Sequence, residues 1–245
     1  VSIYGIDSLR QLAVKFLQKE ELTNFSFQKE FFKPFEIILR ENYSKRPEIQ
    51  EYICNCICSM VLSMMKRVKS GWLTILGIFN ILADDAHVQI ATLTYNTLST
   101  VFYRNFELIK PHFYELSQCV IKYLKSPIED LALQSAEALS YLAKQLACGE
   151  VPTSTLKPVD TRSTASTLMS VTSEKTSVSV STTAAAIPVM GGIETMDDDE
   201  ASLQRLWVPL LLGLSQAVND QRVSLQRKSA KALFQILMDH ANRFP

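Results

Sequence analysis

The chain has 245 residues, enough for one large domain or two smaller ones, and 47% of them are apolar, enough to bury a sizeable core. Seven glycines fit an all-helical chain better than an all-β one. The 25 basic and 25 acidic residues give zero net charge, which argues against nucleic acid as the main ligand, because phosphate binding needs a clustered positive excess.

The cysteines and the apolar runs indicate a reducing compartment. Five cysteines are present, an odd number, and three of them fall within residues 54–58, so the pattern does not resemble a disulfide framework. The longest apolar run, residues 72–83, is too short to span a bilayer. We therefore predict a cytoplasmic protein.

The first part of the chain predicts three helices. Asp7 is predicted to cap a helix that runs to about Glu20. Pro34 lies within the second predicted helix and should kink it or start a new one. Pro47 suits the first turn of a third helix, which runs to about Val68.

Residues 71–102 form the clearest unit of the chain. Apolar residues recur there at helical spacing on either side of a polar break at Asp84-Asp85, which predicts two amphipathic helices. Neither helix could bury its apolar face alone. Farther on, Pro111 is predicted to start a helix through Leu124, and residues 126–129 have the form of a capping box with proline at the first helical position.

This unit recurs along the chain. When the sequence is aligned with a shifted copy of itself, a first shift aligns Trp72 with Phe113, and a second, longer shift aligns Phe113 with Trp207. The first shift, applied in the opposite direction, finds a weaker copy at Phe31. A period near 40, with two helices per unit and no strand pattern, is typical of HEAT or armadillo-like packing.

The composition changes between the second and third strong copies. Within the stretch 150–200, eighteen residues are Ser or Thr and none is aromatic, so this stretch cannot bury enough apolar surface to offset its ordering entropy. We predict an all-α protein, an α-solenoid of HEAT/armadillo-like helical repeats over residues 1–149 that continues at 201–245. A disordered, low-complexity Ser/Thr-rich loop at 150–200 is inserted between the two parts.

The sequence predicts no catalytic, cofactor-binding or metal site. It contains no Gly-rich phosphate loop, and no nucleophile motif accompanies its three histidines. Cys54, Cys56 and Cys58 lack the nearby histidine or second cysteine pair that a zinc site needs, and on a helix Cys56 points away from the other two. They are predicted to be core residues.

Two basic clusters are candidates for binding a partner or an anionic lipid surface. The first lies at a repeat turn and the second on the last helix; their members are Lys66, Arg67 and Lys69, and Arg222, Arg227, Lys228 and Lys231. Either cluster could instead be a solvated helix face, and the sequence leaves both interpretations open.

Residues 5–36, GIDSLRQLAVKFLQKEELTNFSFQKEFFKPFE, closely resemble a segment of the large Arf guanine-nucleotide exchange factors of the trans-Golgi, the brefeldin-A-inhibited class. In that family the segment lies downstream of the catalytic exchange domain. Residues 69–72, KSGW, resemble the family's basic-Ser-Gly-Trp turn. Residues 207–215 resemble a later segment, in which a tryptophan opens the next repeat.

The resemblance implies a non-catalytic regulatory region, because the chain lacks the exchange domain. It implies membrane recruitment, autoinhibition or small-GTPase feedback in Golgi and endosomal vesicle-mediated transport, at the cytoplasmic side of the trans-Golgi membrane. Its implied partners are Arf-family GTPases and other regions of the same exchange factor, and no cofactor is expected. The alternative is a generic HEAT-repeat adaptor or a Golgi scaffold without an exchange domain.

Overall fold

The computed structural model describes residues 2–21, 26–42, 46–84, 87–149, 151 and 198–243. This part of the chain is helical and contains no β-strand, so the predicted all-α fold is confirmed. The helices are α1 (Ile3–Leu17), α2 (Gln28–Asn42), α3 (Pro47–Met64), α4 (Trp72–Leu82), α5 (Val88–Arg104), α6 (Phe106–Ile109), α7 (Phe113–Leu124), α8 (Glu129–Ala147), α9 (Asp198–Val218) and α10 (Val223–His240). Short 3₁₀ helices follow α3, α6 and α10, at Met65–Arg67, Lys110–His112 and Ala241–Arg243.

The helices form two layers. In one, called the A layer here, α2, α4, α7 and α9 pack one against the next; in the other, the B layer, α1, α3, α5, α8 and α10 do the same. Contacts of α1 with α2, α4 with α5, α7 with α8 and α9 with α10 join the layers. The described chain is therefore a two-layer stack of helix pairs, α1/α2, α4/α5, α7/α8 and α9/α10, with α3 packed between α1 and α5 in the B layer.

The period predicted from the sequence is present in the helix starts of the B layer. α3, α5 and α8 begin at Pro47, Val88 and Glu129, which are evenly spaced and follow the shift that places Trp72 on Phe113. α10 begins at Val223, which the longer shift, from Phe113 to Trp207, aligns with Glu129. Pro47 takes the predicted first position of its helix.

The turn before each B-layer helix is also repeated. His87, Ile128 and Arg222, which precede α5, α8 and α10, have φ of −82°, −80° and −82° and ψ of 108°, 108° and 110°. Ser126 Oγ accepts a hydrogen bond from the Ile128 N–H at 3.2 Å, and Asp220 Oδ1 accepts one from the Arg222 N–H at 2.9 Å. The capping box predicted at 126–129 is wrong, because Ser126 bonds within the turn and α8 begins only at Glu129.

The cap predicted for the first helix is also wrong, and Pro34 does not start a new helix. Ser2 caps α1, since its Oγ accepts a hydrogen bond from the Gly5 N–H at 3.3 Å, and Asp7 lies inside the helix. Pro34 lies within α2, which continues through it from Gln28 to Asn42.

The last A-layer helix begins earlier than predicted. α9 starts at Asp198, within the predicted 150–200 loop, so Trp207 lies in the interior of a helix and does not open one. Residues 152–197, and with them most of the predicted disordered loop, lie outside the described residues. At the other border, Gly149 follows α8 in the left-handed region, with φ of 74°, a conformation that favours glycine after a helix.

One apolar core runs through the stack. Trp72, Phe113 and Trp207, which the repeat superposes, are each at most 2% exposed. Tyr95 and Tyr123 pack edge to face with ring centroids 5.1 Å apart, and the Tyr123 hydroxyl donates a hydrogen bond to Thr94 Oγ1 at 2.7 Å. These contacts join α5 to α7 and so lock one repeat to the next.

Candidate docking surfaces

A buried polar network joins the end of α1 to the starts of α2 and α4. The Glu21 side chain accepts hydrogen bonds from the backbone N–H groups of Gln28, at 3.1 Å, and Ser70, at 3.0 Å, and from the Ser70 hydroxyl at 2.5 Å. Gln28 begins α2, and Ser70 stands just before α4. One carboxylate therefore binds the first N–H of α2 and fixes the turn that leads into α4.

The side chain of Gln28 holds the turn before α4 from the other side. Its Nε2 donates to the Arg67 carbonyl at 2.9 Å, and its Oε1 accepts from the Lys69 N–H at 2.7 Å. Both Gln28 and Glu21 are buried. Burial raises the pKa of Glu21, but the hydrogen bonds from Ser70, Gln28 and the Phe27 backbone together hold it below its ordinary value, so this carboxylate is charged at neutral pH.

The first basic cluster is partly used by this network. Arg67 Nη1 donates to the Gln18 carbonyl, at the C-terminal end of α1, at 2.7 Å. Lys69 Nζ lies 3.8 Å from the Glu20 carboxylate. Lys66 is exposed and forms no ion pair with any residue that the structure describes. Arg67 thus has a structural role, and among the three cations only Lys66 lacks a hydrogen bond or ion pair with the part of the chain that the structure describes.

In the second basic cluster too, acidic side chains bind some of the cations and leave others exposed. Arg222 binds both carboxylate oxygens of Asp220, at 2.8 and 2.9 Å, and its Nη1 donates to the Ser126 carbonyl at 2.8 Å. Lys228 Nζ lies 2.5 Å from Glu137 of α8. Arg227 and Lys231 are exposed, and neither is paired with another described residue.

A surface groove of about 550 Å³ crosses the A layer between α2, α4 and α7. Lys29, Lys33 and Glu36 line it from α2, Leu73 from α4 and Tyr114 from α7. The groove therefore combines charged side chains from α2 with a mixture of apolar, aromatic and polar ones from α4 and α7, among them the charged Glu115, a composition suited to binding a protein surface.

Leu73 and Tyr114, which line this groove, belong to a longer row of exposed side chains. Leu73, Tyr114 and Val208 occupy the same position in three repeats and are 51%, 40% and 55% exposed. Leu212, one turn after Val208, is 53% exposed. We call these four residues the A-layer row. The row is not among the surfaces predicted from the sequence, although the two repeat shifts locate three of its members, each directly after a buried aromatic residue.

The structure brings no reactive cluster together in its described residues. Cys54, Cys56 and Cys58 are all buried in α3, as predicted for core residues. No group of three or more His, Cys, Asp or Glu side chains that could hold a metal lies in the ranges described. None of the described helices is long and apolar enough to cross a membrane.

Comparison with known proteins points to one family. A family model described as "Mon2/Sec7/BIG1-like, HDS" matches residues 15–100. Brefeldin A-inhibited guanine nucleotide-exchange proteins 1 and 3 of Arabidopsis thaliana are each 32% identical to the chain over 249 residues, which cover 100% of this chain and 14% and 13% of those relatives. The human protein 1 is 34% identical over 149 residues, which cover 59% of this chain and 8% of that relative.

The chain belongs to the brefeldin-A-inhibited family of large Arf guanine-nucleotide exchange factors. It spans 14% or less of these relatives, and the matched part is the HDS region, which is not the catalytic exchange domain of the family. The polar network joins two of the three sequence segments that resemble the brefeldin-A-inhibited class. Glu21 and Gln28 belong to the first segment, and Ser70 belongs to the second.

Proposed function

We propose that this chain is a regulatory docking region that binds a GTP-loaded Arf-family GTPase and so helps to recruit its exchange factor to Golgi and endosomal membranes. The observation that carries the proposal is the A-layer row beside the groove. Its members are about half exposed, although they are apolar or aromatic, and three of them, Leu73, Tyr114 and Val208, occupy the same position in successive helix pairs. Contiguous exposed apolar side chains on a rigid scaffold mark protein-binding surfaces.

Membership of an Arf exchange-factor family supports a GTPase as the occupant. The relatives are named as guanine nucleotide-exchange proteins, and the chain supplies a region of them outside the catalytic domain. A second GTPase-binding surface would let the product of exchange hold the enzyme at the membrane, which is positive feedback. A role in vesicle-mediated transport follows from that recruitment.

The test is recruitment of the 245-residue chain to neutral phosphatidylcholine vesicles that carry a tethered Arf-family GTPase. We expect flotation with the GTP-loaded GTPase and none with the GDP-loaded form. Leu73→Gln combined with Val208→Ser should weaken recruitment by about tenfold or more, because central apolar contacts dominate protein interfaces.

Matched controls lie on the B layer. Leu62 is 45% exposed and Val88, like Val208, is 55% exposed. Leu62→Gln combined with Val88→Ser therefore removes similar apolar area from the other layer and should leave recruitment unchanged. Equal binding of the GTP and GDP forms, or equal loss in both double variants, would refute GTPase docking on the A layer.

A different result would favour autoinhibition. If no GTPase recruits the chain, but the chain binds upstream parts of the same exchange factor and loses that binding in the A-layer double variant, the row serves an intramolecular contact. A generic adaptor remains the alternative in the event that the parent gene encodes no exchange domain.

A further inference from the structure

The outer side of α10 carries an exposed stripe that combines basic and apolar side chains. We call it the α10 stripe; its members are Val223, Arg227, Lys231, Phe234 and Met238. Their spacing places them on one face of the helix, opposite the buried Leu225, Ser229, Ala232 and Ile236. Phe234 is 67% exposed and Met238 is 82% exposed, which is unusual for apolar side chains of this size.

The charge of the stripe is positive. Arg227 and Lys231 are the two cations of the second basic cluster that no described residue neutralises, whereas Arg222 and Lys228 are held by Asp220 and Glu137. Asp239, exposed beside the stripe, is the only acidic residue in α10. After Val223, the stripe therefore presents two cations, followed by the apolar side chains of Phe234 and Met238.

Part of the same surface stays open where another repeat covers a B-layer helix, whereas the positions that correspond to Arg227, Thr92 and Leu133, and to Phe234, Ser99 and Ser140, are half-buried there. α5 is covered by α8, and α8 by α10. The positions in α5 and α8 that correspond to Lys231 hold Asn96 and Glu137, and both are exposed. Those that correspond to Met238 hold Tyr103 and Lys144, and both are exposed as well. A helix stacked onto α10 would therefore leave the positions of Lys231 and Met238 open.

The aromatic side chain of Phe234 is particular to α10 and is not a feature of the repeat. The residues that correspond to Phe234 are Ser99 in α5 and Ser140 in α8, and both are half-buried. Phe234 thus adds exposed apolar area at a position where the other repeats carry a small polar side chain.

We propose that the α10 stripe binds an anionic lipid bilayer directly. Arg227 and Lys231 would contact lipid phosphates, while Phe234 and Met238 would insert at the boundary between headgroups and acyl chains, as an interfacial amphipathic helix does. The contact rests on the membrane-recruitment role proposed above, but it needs no GTPase. It would orient the scaffold with the B layer toward the membrane at α10.

The test is flotation of the 245-residue chain, without any GTPase, on vesicles of phosphatidylcholine alone or with phosphatidylserine added. We expect binding only to the anionic vesicles, and we expect salt to weaken it because the attraction is screened. Arg227→Gln combined with Lys231→Gln should weaken binding about 25-fold, since each cation near an anionic surface contributes about fivefold. Phe234→Gln combined with Met238→Gln should weaken it by about tenfold or more.

The A layer supplies matched controls. Lys29 and Lys33 are exposed cations one helical turn apart on α2, like Arg227 and Lys231 on α10. Val208 and Leu212 are exposed apolar residues one turn apart on α9. Lys29→Gln with Lys33→Gln, and Val208→Gln with Leu212→Gln, should each change lipid binding less than about twofold. All variants alter exposed positions, and thermal unfolding should confirm that each is folded.

Three results would overturn the proposal. They are no flotation on anionic vesicles, equal flotation on neutral vesicles, and equal loss in the α10 and A-layer variants. The α10 variants should still bind a GTP-loaded GTPase on neutral vesicles. Failure of lipid binding can therefore be told apart from failure of GTPase docking.

Discussion

At the scale of single residues, Gly71 is a position where packing leaves no room for a side chain. A Cβ there would lie 2.8 and 2.9 Å from two ring carbons of Phe32, which is 1% exposed. The ring cannot move without disturbing the core. We expect Gly71→Ala to lower the free energy of unfolding by about 1–3 kcal/mol, measured by urea denaturation.

Gly5→Ala is the matched control for this substitution. A Cβ at Gly5 would meet only Ser2 Oγ, at an ordinary contact distance of 3.7 Å. Because Gly5 lies in α1, alanine should be neutral or should stabilise the chain by up to about 1 kcal/mol. If both substitutions have the same effect, the crowding at Phe32 does not explain Gly71.

Glu21 is the second residue whose environment predicts a measurable effect. Glu21→Gln places an amide where three donors converge, so we expect a loss of about 1–3 kcal/mol at pH 7. Glu20→Gln is the control. The Glu20 side chain is 90% exposed, and its 3.8 Å pair with Lys69 should contribute almost nothing.

The Glu21 effect should also depend on pH. Because the folded chain lowers the pKa of Glu21, its carboxylate stabilises the fold above the unfolded pKa of about 4.3, and this contribution is lost as pH falls through the lower folded pKa. Denaturation of the wild-type chain and Glu21→Gln at pH 7 and at pH 3 should therefore show a smaller difference at the lower pH. A constant difference would mean that the charge of Glu21 is not what stabilises the turn.

At the scale of helices and turns, the two arginines at α10 should behave differently. Arg222 holds Asp220, whose pKa its side-chain and backbone hydrogen bonds lower to about 2, and it also binds the Ser126 carbonyl of the preceding repeat. Arg222→Gln should cost about 1–3 kcal/mol. Arg227→Gln should cost less than about 0.5 kcal/mol, because Arg227 is exposed and no described residue pairs with it. Equal losses in thermal unfolding would contradict this division.

The repeat register is the part of the fold that the sequence predicts best. Apolar periodicity and the two repeat shifts locate the B-layer helices, because every repeat must present its apolar face to the next one. The helix starts at Val88, Glu129 and Val223 follow that register. The expected cap at Asp7 is wrong because its side chain binds Arg10, Gln11 and Tyr52 instead, and Tyr52 is distant in sequence.

The candidate surfaces are less predictable, because they depend on partners far along the chain. Arg222 and Arg227 look alike in the sequence, but only Arg222 meets the carbonyl of Ser126, which belongs to the preceding repeat. Likewise, nothing near Gln28 in sequence indicates that its amide holds the backbone at Arg67 and Lys69. Composition identifies the basic clusters, whereas only the tertiary structure tells which cations are free.

At the scale of the whole molecule, the two proposed surfaces lie on different layers. The A-layer row is carried by α4, α7 and α9, and the α10 stripe by the last B-layer helix. A GTPase and a bilayer would therefore contact different helices of one scaffold. Such an arrangement would let the two contacts add their affinities, because binding at one surface raises the effective concentration at the other.

The last prediction concerns residues 150–200, the predicted insertion between the second and third strong repeats. α9 packs on both α7 and α8, although the long segment 148–197 separates it from α8 along the chain. If residues 150–200 only lengthen the connection, replacing 152–197 with a linker of about ten Gly and Ser residues should change the free energy of unfolding by about 1 kcal/mol or less, since loop closure depends weakly on length. Urea denaturation followed by circular dichroism measures this change.

A chain that ends at residue 151 is the control for that experiment. It removes α9 and α10 and so uncovers the faces of α7 and α8 on which they pack. We expect the truncated chain to have a lower free energy of unfolding than the wild type. The linker variant should instead unfold in a cooperative transition like that of the wild type. If the linker variant unfolds as readily as the truncated chain, the inserted segment is part of the packed fold, because a passive connection could be shortened without exposing any apolar face.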